Sequence, residues 1–141
     1  MKSTKARGDA AELFAAAHLE RAGLRVLERN AIAGGVELDM ICLDGAGEGV
    51  EGNAGAPPTY VFVEVRSRHG EERGHPLETI DHRKRRRIVK GATAWLTERD
   101  LWELVHVRFD VVTVVGAEAL DPDDPDARRL AWVVSAFEAD G

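Results

Sequence analysis

Glu37-Leu38-Asp39-Met40-Ile41 and Phe62-Val63-Glu64-Val65-Arg66 are the two stretches that decide the fold of this 141-residue chain. Both read as strands. In the second, Val61, Val63 and Val65 alternate with Tyr60, Phe62, Glu64 and Arg66, so one face is apolar and the other carries a carboxylate and a guanidinium. In the first, strict alternation puts Glu37, Asp39 and Ile41 on one face and Leu38 and Met40 on the other. Sequential strands usually pair, which sets Asp39 and Glu64 across from each other inside otherwise apolar strands. Two adjacent carboxylates repel unless a positive charge neutralises them. A hard divalent cation does so, and Mg2+ (or Mn2+) is commonly held by one or two carboxylates, with water and phosphate oxygens completing its shell. Such an ion activates water and stabilises charge on a phosphate under attack, which is phosphodiester chemistry. The alternative is a buried ion network without metal, in which Arg66, Arg68 or Arg108 neutralises the two acids.

Working outward, residues 8–23 carry Leu13, Phe14 and Ala17 at helical spacing, with Gly23 placed as a stop. Glu12 falls on the border of that helix's apolar stripe, from which it reaches toward the sheet. Residues 24–28, running on to Asn30, read as a short strand, and residues 36–43 as the second. The stretch 44–58, with five glycines and two prolines, is a loop between strands. Residues 59–66 form the third strand. After a polar loop at 70–76, residues from about 77 to 98 place Ile80, Ile88, Val89, Ala92, Trp95 and Leu96 at helical spacing. Strands at 107–115 and 130–137 flank an acidic loop at 117–127 that contains Asp-Pro-Asp-Asp-Pro-Asp. The expected architecture is α/β: one domain over residues 1–141, with a mixed sheet flanked by helices in the order α-β-β-β-α-β and an additional C-terminal strand.

The net charge of −6 argues against indiscriminate coating of nucleic acid, but residues 66–90 carry a local +5 and the remainder −11. The run His82-Arg83-Lys84-Arg85-Arg86-Arg87 opens the second helix, and its cations fan around the helix surface at 100° per residue. A phosphate backbone relieves their mutual repulsion and releases counterions. A solvated surface paired to Glu78 and Asp81 is the competing reading. The single cysteine, Cys42, reads as a small buried hydrophobe, and Trp95, Trp102 and Trp132 as packing residues. One cysteine and a loose His69/His75 pair make a zinc site improbable. The absence of a long apolar run or signal-type segment leads to the expectation of a cytoplasmic protein with no membrane partner.

Taken in order, Gly8-Asp9-Ala10-Ala11-Glu12, Gly23-Leu24 leading to Asn30, Glu37-Leu38-Asp39-Met40-Ile41, Phe62-Val63-Glu64-Val65-Arg66-Ser67-Arg68, Lys84 and Arg108-Phe109-Asp110 resemble the bacterial YraN family. The resemblance implies a restriction-endonuclease-like fold of the PD-(D/E)XK superfamily, related to Holliday-junction resolvases. Carried over residue by residue, it makes Asp39 and Glu64 the metal-binding acids, Glu12 the first-helix acid, and Arg66 the occupant of a position usually held by lysine. Lys84 matches a family position on the second helix. Arg66 stays protonated, so it stabilises an anionic transition state but takes no proton from water. Val36 stands where a glycine is expected, and the loop 44–58 is an insertion relative to short members. The expected activity is a Mg2+-dependent endonuclease on DNA, favoured over RNA, with branched or flap structures as candidate substrates. Asp39, Glu64, Arg66 and Glu12 would carry the chemistry, with Glu37 supporting and Arg68, Lys84, Arg85 and Arg87 contacting nucleic acid. A catalytically inactive nucleic-acid-binding module of the same fold is the alternative, and a homodimer, as in resolvases, is left open.

Overall fold

In a computed structural model that describes residues 4–44, 58–68, 80–115 and 130–139, the chain runs α1 (Thr4–Arg21), β1 (Leu24–Ala33), β2 (Val36–Asp44), β3 (Thr59–Arg68), α2 (His82–Glu98), β4 (His106–Val115) and β5 (Leu130–Phe137). This is the expected order. The loop at 70–76, the acidic loop 117–127 and all of 44–58 except its end residues lie outside the described residues. β1 is longer than its sequence pattern indicated, and α2 starts later, at His82. Asp81 sets that start: its Oδ1 accepts the Lys84 N–H at 2.9 Å, a helix N-cap.

The five strands lie in the order β1-β2-β3-β4-β5, antiparallel except for β3 and β4, which run parallel across the α2 crossover. β1 and β2 are joined by Gly34 and Gly35 at φ +58° and +76°, the pair of positive values that a two-residue type I′ hairpin needs and that a side chain disfavours. The sheet separates two cores. On one side α1 buries Ala11, Phe14, Ala15 and Leu19 against Met40, Cys42, Val61, Val63, Val112 and Val114. On the other, α2 buries Ile88, Ala92, Trp95 and Leu96 against Val36, Leu38, Ile41, Phe62, Phe109 and Phe137. Aromatic rings line this second face, with Tyr60 and Phe62 against Trp95 at 5.8 and 5.9 Å and Phe109 stacked on Phe137 at 5.0 Å.

One expectation about β2 is corrected. Leu38 packs with Ile41 on the α2 side, whereas Met40 packs on the α1 side, so the alternation breaks at Asp39. The break coincides with Asn30, between the Arg29–Met40 and Ala31–Leu38 pairs of β1 and β2, where the backbone is left-handed at φ +55°. It also coincides with the end of the β2–β3 ladder, whose last pair is Met40–Val63. Beyond that pair the two strands part.

Cys42 is buried, and desolvation together with the nearby Asp110 carboxylate pushes its thiol up to about 12, which leaves it unreactive at neutral pH. Of the three tryptophans, Trp95 is core, Trp132 is half-buried and Trp102 is exposed. No helix among the described residues is long and apolar enough to cross a membrane.

Candidate metal and phosphate site

Asp39 sits where β2 leaves β3. Instead of continuing the ladder, its Oδ2 accepts the Val65 N–H at 2.9 Å, so a side chain caps the first unpaired backbone donor of β3. Glu64 follows Tyr60 and Phe62 on the α2 face of β3, ending the aromatic row in a buried carboxylate. Burial raises the Asp39 carboxyl to about 8, and the neighbouring Glu64 charge adds to that rise, followed by Glu12. The expected acid pair is therefore present, close enough for each charge to be felt by the other. Glu12, on α1, is buried on the opposite side of the sheet from α2 and close enough for its charge to be felt at Asp39.

A cavity of about 450 Å³ opens over the pair, lined by Val36, Glu37, Asp39, Glu64, Asp81, Arg83, Lys84, Arg87 and Ile88. Acids form its sheet wall and cations of α2 its helix wall. The two walls are brought together by Gly91, where an added Cβ would stand 3.0 Å from Leu38 Cδ2 and from two carbons of Val36. Glu37 is exposed at the rim, and strand alternation alone put it on the face of Asp39.

The cations are distributed differently from the sequence reading. Lys84, expected as a nucleic-acid contact, places Nζ 2.6 Å from Glu64 Oε1, while Arg66 Nη1 lies 3.7 Å from the same oxygen. Arg85, also expected on nucleic acid, donates from Nε to the Ile80 carbonyl at 3.0 Å and holds its guanidinium 5.7 Å from the Phe137 ring centre. Arg85 thus fastens the start of α2. Arg83, Arg86, Arg87 and Lys90 are exposed, and Arg83 and Arg87 face the cavity. Arg68 is half-buried near the end of β3.

Arg108 is not part of the acid pair's surroundings. Its guanidinium grips both oxygens of Asp110 at 2.9 and 3.0 Å and reaches Asp44 at 3.1 Å. Asp110, fully buried, also accepts from Trp132 Nε1 at 2.9 Å and from the Ser135 N–H at 3.0 Å. This network ties β4 to the irregular end of β5, where Ser135 has φ +52°, and to the end of β2. It is structural, and the Arg108-Phe109-Asp110 segment that carried part of the family likeness marks a brace.

Among the described residues no three His, Cys, Asp or Glu side chains converge as a metal cage. Two carboxylate side chains in an open cavity of about 450 Å³ suit Mg2+, which keeps much of its shell for water and substrate. The chain matches the model of "Uncharacterised protein family UPF0102" over residues 11–114, which spans Glu12, Asp39, Glu64 and Lys84. It is 39% identical over 138 residues to a UPF0102 protein of Pseudomonas aeruginosa strain LESB58, covering 98% of this chain and 97% of the relative. To the UPF0102 protein of Dechloromonas aromatica strain RCB it is 40% identical, over 98% and 93% of the two chains. The corresponding protein of Ectopseudomonas mendocina strain ymp is 37% identical over 99% and 100%.

Proposed function

The chain belongs to the UPF0102 (YraN) family, and from the acid pair at the parting of β2 and β3 we propose that it is a Mg2+-dependent endonuclease acting on DNA, with branched and flap structures among the candidate substrates. One observation carries the reading: Asp39 and Glu64 converge in a cavity whose facing wall is the basic start of α2. Carboxylates alone would repel a phosphodiester, and cations alone would only bind it. Placed opposite each other, they suit a substrate that brings phosphate and takes up a shared divalent ion.

When bound, Mg2+ would activate water and neutralise charge building on the phosphate. Asp39 and Glu64 would hold it, each through carboxylate oxygens. The Val65 N–H fixes the orientation of Asp39 by occupying Oδ2. Glu12 adds negative field from beneath the sheet and favours a cation at Asp39. Arg66, beside Glu64, offers a permanent positive charge to the phosphate oxygens. Arg83 and Arg87 on the cavity wall suit the flanking backbone phosphates.

The second reading, a nucleic-acid-binding module without catalysis, is favoured by the Lys84 ammonium on Glu64, which supplies a counter-charge without any metal. Incubation of the protein with labelled flap, branched and linear DNA in Mg2+ or Mn2+ separates the two. The nuclease reading expects cleavage that disappears in Asp39→Ala and Glu64→Ala. Salt-dependent binding with no cleavage under either ion would establish the binding module instead.

A further inference from the structure

Lys84 is the only lysine among the described residues that meets the acid pair, and it does so from α2, not from the strand position held by Arg66. Its backbone is fixed: Asp81 caps its N–H at 2.9 Å, and the next residue, Arg85, is anchored through its N–H to the Asp81 carbonyl and through its side chain to the Ile80 carbonyl. Its side chain is 39% exposed and lines the cavity, so the ammonium can move while its root cannot. Arg66 is not in the cavity wall.

Lys84 holds Oε1, one of the two carboxylate oxygens that Glu64 could offer a divalent ion. An ammonium 2.6 Å from Glu64 Oε1 takes up one of its acceptor sites and repels a second cation brought to the same carboxylate, so the two compete for Glu64. Resting on the metal-dependent reading above, we propose that Lys84 is the site's catalytic lysine. Its ammonium occupies Glu64 until a divalent cation displaces it, and then donates hydrogen bonds to the non-bridging oxygens of the phosphate being cut. The ammonium keeps its proton throughout, and its contribution is electrostatic. A lysine has three rotatable donors on a flexible stem, which suits this change of partner better than the planar guanidinium of Arg66.

The test measures Mn2+ affinity by calorimetry, cleavage of flap DNA and melting temperature for wild type, Lys84→Met, Lys84→Arg and Arg66→Met. Lys84→Met should bind Mn2+ about 2- to 5-fold tighter, because a competing, partly exposed ion pair has been removed. It should also cleave about 100-fold more slowly or worse, as expected for loss of a donor to transition-state charge. Lys84→Arg should restore part of the rate, and the loss in Lys84→Met should exceed that in Arg66→Met. Cleavage by Lys84→Met within about 3-fold of wild type overturns the assignment, as does weakened Mn2+ binding accompanied by a large fall in melting temperature, the mark of a structural ion pair. If the wild type itself neither binds Mn2+ nor cleaves, the metal-dependent reading fails and the lysine role falls with it. An active wild type beside an active Lys84→Met removes the lysine role alone.

Discussion

Asp39 illustrates how one residue holds a fold and a function in tension. Its carboxyl is raised to about 8 by burial and by Glu64, so folding favours its protonated form. The stabilisation it contributes is therefore fully present below its unfolded value near 4 and is lost as pH rises through about 8. Asp39→Asn is neutral at every pH and lacks this dependence. Without metal, the melting temperature of wild type should fall relative to Asp39→Asn between about pH 5 and about pH 8.5, whereas parallel curves would show that Asp39 is not raised. Asp110 is the structural counterpart, with both oxygens committed to Arg108, Trp132 and Ser135. Asp110→Ala leaves the half-buried Arg108 guanidinium with Asp44 alone and the Trp132 and Ser135 N–H groups without their acceptor, and denaturant melts should show a loss of about 3–5 kcal/mol. A loss under about 1 kcal/mol would mean that the network relaxes onto water. Asp39 and Glu64 were legible in the sequence because alternation marks a charge in an apolar strand. The partners of Lys84 and Arg108 were not, because long side chains choose among acids that only the folded chain brings near.

At the scale of elements, α2 carries the site. It is amphipathic, packs Ile88, Ala92, Trp95 and Leu96 into the aromatic face, and presents its first turns to the acids. Its approach to β2 is set at Gly91. A helical Gly→Ala change that faces solvent gains about 1 kcal/mol. Here the new methyl meets Val36 and Leu38 at 3.0 Å, and crowding in a packed core costs about 1–3 kcal/mol. Gly91→Ala should therefore destabilise by about 1 kcal/mol in denaturant melts, and a stabilised variant would show that the contact is slack. Element order and most boundaries could be read from periodicity, and β5 was read to the residue. The change of face at Asp39 could not. A period of two describes a strand with both neighbours in place, whereas β2 pairs with β3 only from Met40 onward and meets a left-handed Asn30 on β1. That irregularity orients Asp39, so the feature least visible in the pattern is the one that builds the site.

Over the whole molecule, a net −6 chain concentrates its positive charge between residues 66 and 90, and the fold sets part of that charge against Asp39 and Glu64. Arg83 and Arg87 are the exposed cations on the cavity wall, whereas the Arg85 guanidinium is engaged with the Ile80 carbonyl and the Phe137 ring. Affinity for duplex DNA should fall with salt, and each of Arg83→Ala and Arg87→Ala should lower the log–log slope by about 0.9. Arg85→Ala should cost stability and leave that slope unchanged, while equal slopes for all three variants would contradict the division. The proposed cleavage, unlike binding, depends on the acid pair receiving a divalent cation. The direct measurement is the anomalous scattering of crystals soaked in Mn2+. The account predicts a peak about 2.0–2.2 Å from carboxylate oxygens of both Asp39 and Glu64, with the Lys84 ammonium withdrawn from Glu64. No peak at this position, with Lys84 still seated on Glu64, would contradict it.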